Sequence, residues 1–192
     1  MGRVSKDQAA KNRQTVVEGA AKLFQEHGLK GIAIADLMAE AGLTHGGFYR
    51  QFASKDAVAG EACAHAMRRA LTSWQAIAAR HPPEERLSAI ADAYLARKPA
   101  VHSCPMPTLA TDVAREPPGS PVRHAFTVGV DALANELVAA VPDNQATRRD
   151  RALLVLAAMV GAVALSSAID DEALAEDIRN AVREMAADIN QP

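Results

Sequence analysis

An apolar stripe of helical period recurs along this chain, and it constrains the fold more than any other feature of the sequence. Between Asp7 and His27, Val16, Val17, Ala20, Ala21, Leu23 and Phe24 fall at three- and four-residue spacing, and Gly28 follows as a left-handed stop. The stretch from Ile34 to Ala41 repeats the pattern with Leu37, Met38 and Ala41 on one side, and Gly42 ends it. A long run extends from Ser54, its expected cap, to about Ala79, where His81-Pro82-Pro83 stops it. Further runs cover Glu84 to Lys98, Thr108 to Arg115, Val122 to Val141, Ala146 to Ile169 and Glu172 to Ile189, with a break at Pro117, Pro118, Gly119 and Pro121. Only 4% of residues are aromatic although 49% are hydrophobic, so much of the apolar content is alanine and leucine, which favour helix over strand. The expectation is an all-α fold of about nine helices.

At 192 residues the chain can hold one large core, or a small domain fused to a larger one. The overall charge of −2 does not mark a basic nucleic-acid binder, but its distribution is uneven. Residues 1–55 carry eight Lys/Arg against five Asp/Glu, a net of +3, which leaves −5 on the rest. This suggests a small basic module, 1–55, attached to an acidic body, 56–192. Cys63 and Cys104 have no C-x-x-C spacing and are too few for a disulfide framework, which fits a reducing cytoplasm. The start MGRVSKDQ has no apolar stretch, so no signal peptide is expected, and Lys6 stands where a myristoylation pattern needs Ser or Thr. Residues 152–169, ALLVLAAMVGAVALSSAI, approach membrane-spanning length, but alanine dominates the run and no aromatic belt flanks it. A helix buried in a protein interface is the expectation there, with no membrane partner.

Residues 42–52, GLTHGGFYRQF, contain a contradiction. Phe48 and Phe52 are spaced as on the inner side of a short helix, yet Gly46 and Gly47 each oppose helix by about 1 kcal/mol relative to alanine. A simple turn is one account. The other is a helix-turn-helix, in which the helix capped by Thr44 enters a DNA major groove and glycines let its backbone approach phosphates and base edges. Thr44, His45, Gly46, Gly47, Tyr49, Arg50 and Gln51 would then face the groove or its edges. Arg50 suits guanine, Gln51 adenine and Tyr49 a phosphate oxygen, while Lys55, opening the next helix, suits another phosphate.

The block from about residue 12 to 60, which includes VVEGAAKLFQEHGLKGIAIADLMAEAGLTHGGFYRQFASKDAV, resembles the TetR family of bacterial transcriptional regulators in glycine placement, helix lengths, the F-Y-x-x-F ending and the following Ser-Lys. The resemblance implies an N-terminal three-helix DNA-binding domain on a larger helical effector-binding and dimerisation domain. It puts Thr44, His45, Gly46 and Tyr49 at a DNA operator and Lys55 on a phosphate. Ala33 departs from the pattern, standing where Thr or Ser often caps the second helix and touches phosphate. Gln51 replaces a frequent His or Tyr. The resemblance also implies a repressor that an unidentified small molecule releases from a palindromic operator, and a homodimer formed through helices eight and nine.

Trp74, Tyr94 and Phe126 are the only aromatic residues after position 55, and they lie on helices near the implied effector pocket. Core packing explains them equally well. His102 and Cys104 join them as candidates, because a nearby imidazolium would favour the thiolate and make Cys104 an oxidant or electrophile sensor. A small apolar filler is the plainer account of that cysteine. The six histidines have no metal-ligand spacing, and neither a nucleophile elbow nor a phosphate loop is present. No enzyme, metal or cofactor is therefore expected. A helix-turn-helix protein that binds only another protein is the remaining rival.

Overall fold

The computed structural model describes residues 6–96, 104–141 and 147–189. Among them it contains α1 (Lys6–His27), α2 (Ile34–Glu40), a 3-10 helix (His45–Arg50), α3 (Lys55–Ala78), a 3-10 turn (Pro83–Glu85), α4 (Arg86–Leu95), α5 (Pro105–Arg115), α6 (Pro121–Ala140), α7 (Arg148–Ala168) and α8 (Glu172–Ile189). The fold is all-α, as the periodicity predicts. It divides into two compact units, one of Met1–Arg68 with Thr108–Gly129, the other of Arg69–Pro107 with Val130–Pro192.

In the first unit, the stripe of α1 is buried as expected, with Val16, Val17, Ala20, Ala21 and Phe24 inside. Gly28 ends α1 at φ 76° with its N–H on the Phe24 carbonyl at 2.9 Å. Gly42 ends α2 at φ 66° in a Schellman turn, with Leu43 N on Met38 O at 2.8 Å and Gly42 N on Ala39 O at 2.9 Å. Gly28 is constrained a second time. A β-carbon there would lie 2.6 Å from Asp112 Oδ2, the same oxygen that accepts the Leu29 N–H at 2.8 Å. The Leu29 carbonyl in turn accepts from Lys55 Nζ at 2.8 Å. The peptide after α1 is thus gripped by an acid from α5 and a base from α3. Asp112→Ala should strand a Leu29 N–H that is itself largely buried, at a cost of about 1–3 kcal/mol, measurable by thermal or urea unfolding.

The segment expected as a third α-helix is instead a 3-10 helix. Its turns close through Gly47 N to Thr44 O at 3.0 Å and Gln51 N to Phe48 O at 2.9 Å. Two glycines in so short a run leave too little helix propensity to extend the i to i−4 ladder, and 3-10 geometry serves such short pieces. The Thr44 hydroxyl makes no cap hydrogen bond, contrary to expectation, because the Gly47 amide it would have served is already on the Thr44 carbonyl. Ser54 does cap α3, accepting the Ala57 N–H at 3.1 Å.

In the second unit, α7 packs most extensively on α8, and α4 lies against both. Leu87, Ile90, Leu133, Leu137, Val155 and Met159 form its fully buried centre. The helix expected to begin at Thr108 starts earlier, at Pro105. Proline at a first helical position needs no N–H partner and has its φ preset, so the Cys-Pro-Met-Pro stretch leads into the helix rather than away from it. The start of α7 was expected at about Ala146, which lies outside the described residues. Among the described residues, Arg148–Ala168 is one helix long and apolar enough to cross a membrane, and 28% of that apolar window is buried within the chain. Leu153, Leu154 and Leu165 on it point outward.

Candidate nucleic-acid interface and internal cavity

The 3-10 segment is built outward from one ring. Phe48 is completely buried, with Phe52 at 5.6 Å and Tyr49 edge-on at 5.2 Å between ring centroids. Arg13 of α1 covers the Phe52 ring at 4.3 Å and forms a two-pronged ion pair with Glu61 of α3. With Phe48 as its root, the segment exposes Thr44, His45, Gly46, Tyr49 and Arg50, Tyr49 at 66%. A large exposed aromatic next to an arginine is a ready contact for a polyanion.

The glycines separate here. A β-carbon at Gly47 would touch Met38 Cε at 3.5 Å, an ordinary contact, whereas at Gly46 it would meet nothing within 4 Å. Neither has a positive φ. Neither internal packing nor a positive φ requires glycine at Gly46, so the backbone there is open to an approach from outside the chain.

Ala33 is exposed at the N-cap of α2. Its methyl cannot accept a hydrogen bond, and only half of a capping box forms: Asp36 Oδ2 accepts the Ala33 N–H at 2.7 Å. Gln51 is half-buried and its side-chain oxygen is enclosed without a partner, so in this conformation its amide is not presented outward for an adenine. Lys55 spends one ammonium proton on the Leu29 carbonyl and is half-buried, keeping two for another acceptor. Lys22 pairs with Glu40 at 2.9 Å, and this hydrogen bond holds its pKa above the usual lysine range. The basic surplus of the module is therefore partly committed internally, while Lys6, Lys11, Lys30 and Arg50 remain exposed.

The second unit contains a cavity of about 380 Å³ that is partly open to solvent. The structure brings Trp74, Tyr94 and Cys104 together in its wall, with the Trp74 and Tyr94 rings edge-on at 5.7 Å. Phe126 is a correction: it is half-buried on the part of α6 that belongs to the first unit and does not line this cavity, because the stripe of α6 faces two different cores along its length. His102 lies outside the described residues. The Tyr94 hydroxyl is buried beside the Cys104 thiol. Burial first, and then the adjacent Cys104 thiol, push its pKa well above the usual phenol range, so it remains a neutral donor.

Sequence reasoning missed Arg69, Ser73, Ser166, Ser167 and Arg179 in this wall. Arg179 carried a readable signal: it is the charged residue on the buried line of α8, between Ala175 and Ala186. Its guanidinium is held by Glu176 at 2.6 Å and Glu172 at 3.0 Å. The hydrogen bond from Arg179 is the leading cause that lowers the Glu176 pKa. Among the described residues, no three His, Cys, Asp or Glu side chains stand together to hold a metal ion.

Residues 16–62 match the family model described as bacterial regulatory proteins, tetR family. The whole chain resembles solved structures of that family. A TetR-family transcriptional regulator from Cytophaga hutchinsonii has a TM-score of 0.81 at 19% identity, covering 97% of this chain and 98% of that one. A TetR transcriptional regulator from Chloroflexus aurantiacus J-10-FL has 0.75 at 27% identity, covering 93% and 95%. Reduced E. coli NemR has 0.77 at 16% identity, covering 91% and 96%. No curated protein matches the sequence.

Proposed function

We propose that this chain, whose residues 16–62 match the tetR-family model and whose fold resembles that of solved TetR-family regulators, is a homodimeric repressor. It holds a palindromic double-stranded DNA operator and releases it when a small molecule enters the cavity. In this reading residues 1–55 bind DNA, residues 56–192 bind the effector and the partner subunit, and the protein works in the cytoplasm without catalytic chemistry.

The observation that carries the reading is Gly46: a position with no internal need for glycine, flanked by exposed His45, Tyr49 and Arg50 on a segment anchored by Phe48. Thr44, Gly47 and Lys55 complete the proposed contact strip, with Ala33 at its edge. Gln51 joins only if its side chain turns outward. Dimerisation through α7 and α8 is supported by the outward Leu154, Leu165 and Leu174, and by Gly161, where a β-carbon would meet nothing within 4 Å. A second helix can approach closely at such a place, and a two-fold operator needs a two-fold protein.

A salt titration of operator binding tests this. The affinity should fall by about 0.9 log units per tenfold rise in salt for each phosphate contact made. Arg50→Ala should relax base preference by about 1–3 kcal/mol at one position, and Gly46→Ala should weaken binding while the melting temperature holds. Equal affinity for operator and scrambled duplex at every salt concentration would sink the proposal.

One observation favours a second reading of the release step. Cys104 lines the same cavity, with its thiol beside the Tyr94 hydroxyl. An oxidant or electrophile would then free the operator by modifying Cys104, and Cys104→Ser would abolish that response.

A further inference from the structure

Leu29, in the loop after α1, is 6% exposed, and side chains from two other helices of the first unit take both of its backbone polar groups. Asp112 Oδ2 of α5 accepts its N–H at 2.8 Å, and Lys55 Nζ of α3 donates to its carbonyl at 2.8 Å. The fit is close on the α5 side, since a β-carbon at Gly28 would lie 2.6 Å from that same Asp112 oxygen. The other oxygen of Asp112 is 3.5 Å from Arg115, whose side chain is 67% exposed, so that ion pair is weak. Lys55 is half-buried as the first residue of α3 and keeps two ammonium protons for another acceptor. A carbonyl that is itself held in place fixes this long, flexible side chain before DNA arrives. The ordering cost then falls on folding rather than on binding.

We infer that Asp112 is a positioning residue for operator binding: it fixes Leu29, whose carbonyl orients the Lys55 ammonium for a phosphate. An acid in a unit that binds a polyanion repels its ligand, so electrostatics alone predicts that removing Asp112 strengthens binding. Positioning predicts the opposite sign. The inference rests on the reading of Lys55 as a phosphate contact and adds the residues that hold it there.

The probe is a duplex carrying the sequence that the full-length protein enriches from a random pool, compared with a scrambled duplex. Binding is followed across a salt series at a temperature where circular dichroism shows every variant folded. Lys55→Ala should lower the salt slope by about 0.9. Asp112→Ala should bind the enriched duplex about three- to tenfold more weakly, the effect of returning rotamer freedom to one lysine. Asp112→Ser, which leaves room for a water on the Leu29 N–H, serves in its place if Asp112→Ala does not fold. Asp112→Asn keeps a side-chain oxygen for that N–H and should bind within about twofold of the native protein. In the Lys55→Ala background the change at Asp112 should have no further effect, because no ammonium is left to orient. Native or tighter binding by Asp112→Ala, the same penalty with and without Lys55, or an unchanged slope in Lys55→Ala overturns the assignment, while a native preference for the enriched duplex leaves the DNA-binding reading standing. If no sequence is enriched and the native protein binds both duplexes alike, the operator reading falls and this assignment falls with it.

Discussion

Phe48→Ala should destabilise the N-terminal unit by about 3–5 kcal/mol, the range for emptying a fully buried aromatic site. Phe48 has no exposed surface, and it is the ring on which Phe52 and Tyr49 rest. Its loss also undermines Phe52, and with it the Arg13 contact that links α1 to this corner. Against the ~5–15 kcal/mol by which whole domains are stable, this is a large fraction. Urea unfolding followed by circular dichroism would measure it, and operator binding should disappear with it. A loss below about 1 kcal/mol would mean that the segment is not rooted through Phe48. Gly46→Ala provides the contrast two residues away: nothing lies within 4 Å of the new methyl, so stability should change by no more than about 0.5 kcal/mol.

The second large effect concerns the outward face of α7. Leu154 and Leu165 are 58% and 55% exposed on a helix whose inner line, Val155, Met159 and Ala162, is already buried in the second unit. A dimer through α7 and α8 would cover both leucines on each protomer. Burying a leucine contributes about 1.5–3 kcal/mol, so Leu154→Asp with Leu165→Asp should weaken association by at least about 3–6 kcal/mol, two to four orders of magnitude. Sedimentation or light scattering should show a folded monomer, since these side chains lie outside the core of the unit, and operator affinity should fall with the dimer. A variant that stays dimeric would move the interface elsewhere.

Much of the fold is legible in the sequence because it follows from periodicity and punctuation. The stripe of α1 with Gly28, the end of α2 at Gly42 and the Ser54 cap of α3 each depend on neighbours within one or two turns, and the structure has them where spacing puts them. Where an outcome depends on competition between local hydrogen bonds, the reading fails. The Thr44 carbonyl takes the amide that its hydroxyl was expected to receive, and six residues settle as 3-10 rather than α. Cavity residues were least legible. Trp74 and Tyr94 stand out as rare aromatics, but Ser166, Ser167 and Arg179 lie about 70 to 100 positions further along, and nothing in local spacing links them. Phe126 lies apart from this cavity because α6 contributes its first half to one core and its second half to the other.

That sharing has a consequence for how the protein is made. A ribosome emitting this chain has released Met1–Arg68 long before Thr108–Gly129, yet both stretches belong to one compact unit. Until α5 and the start of α6 emerge, the N-terminal stretch has the Leu29 amide without Asp112 and lacks the cover that those helices supply to its unit. Cut after Arg68, the stretch should lose the Asp112 hydrogen bond and the helices that complete its unit.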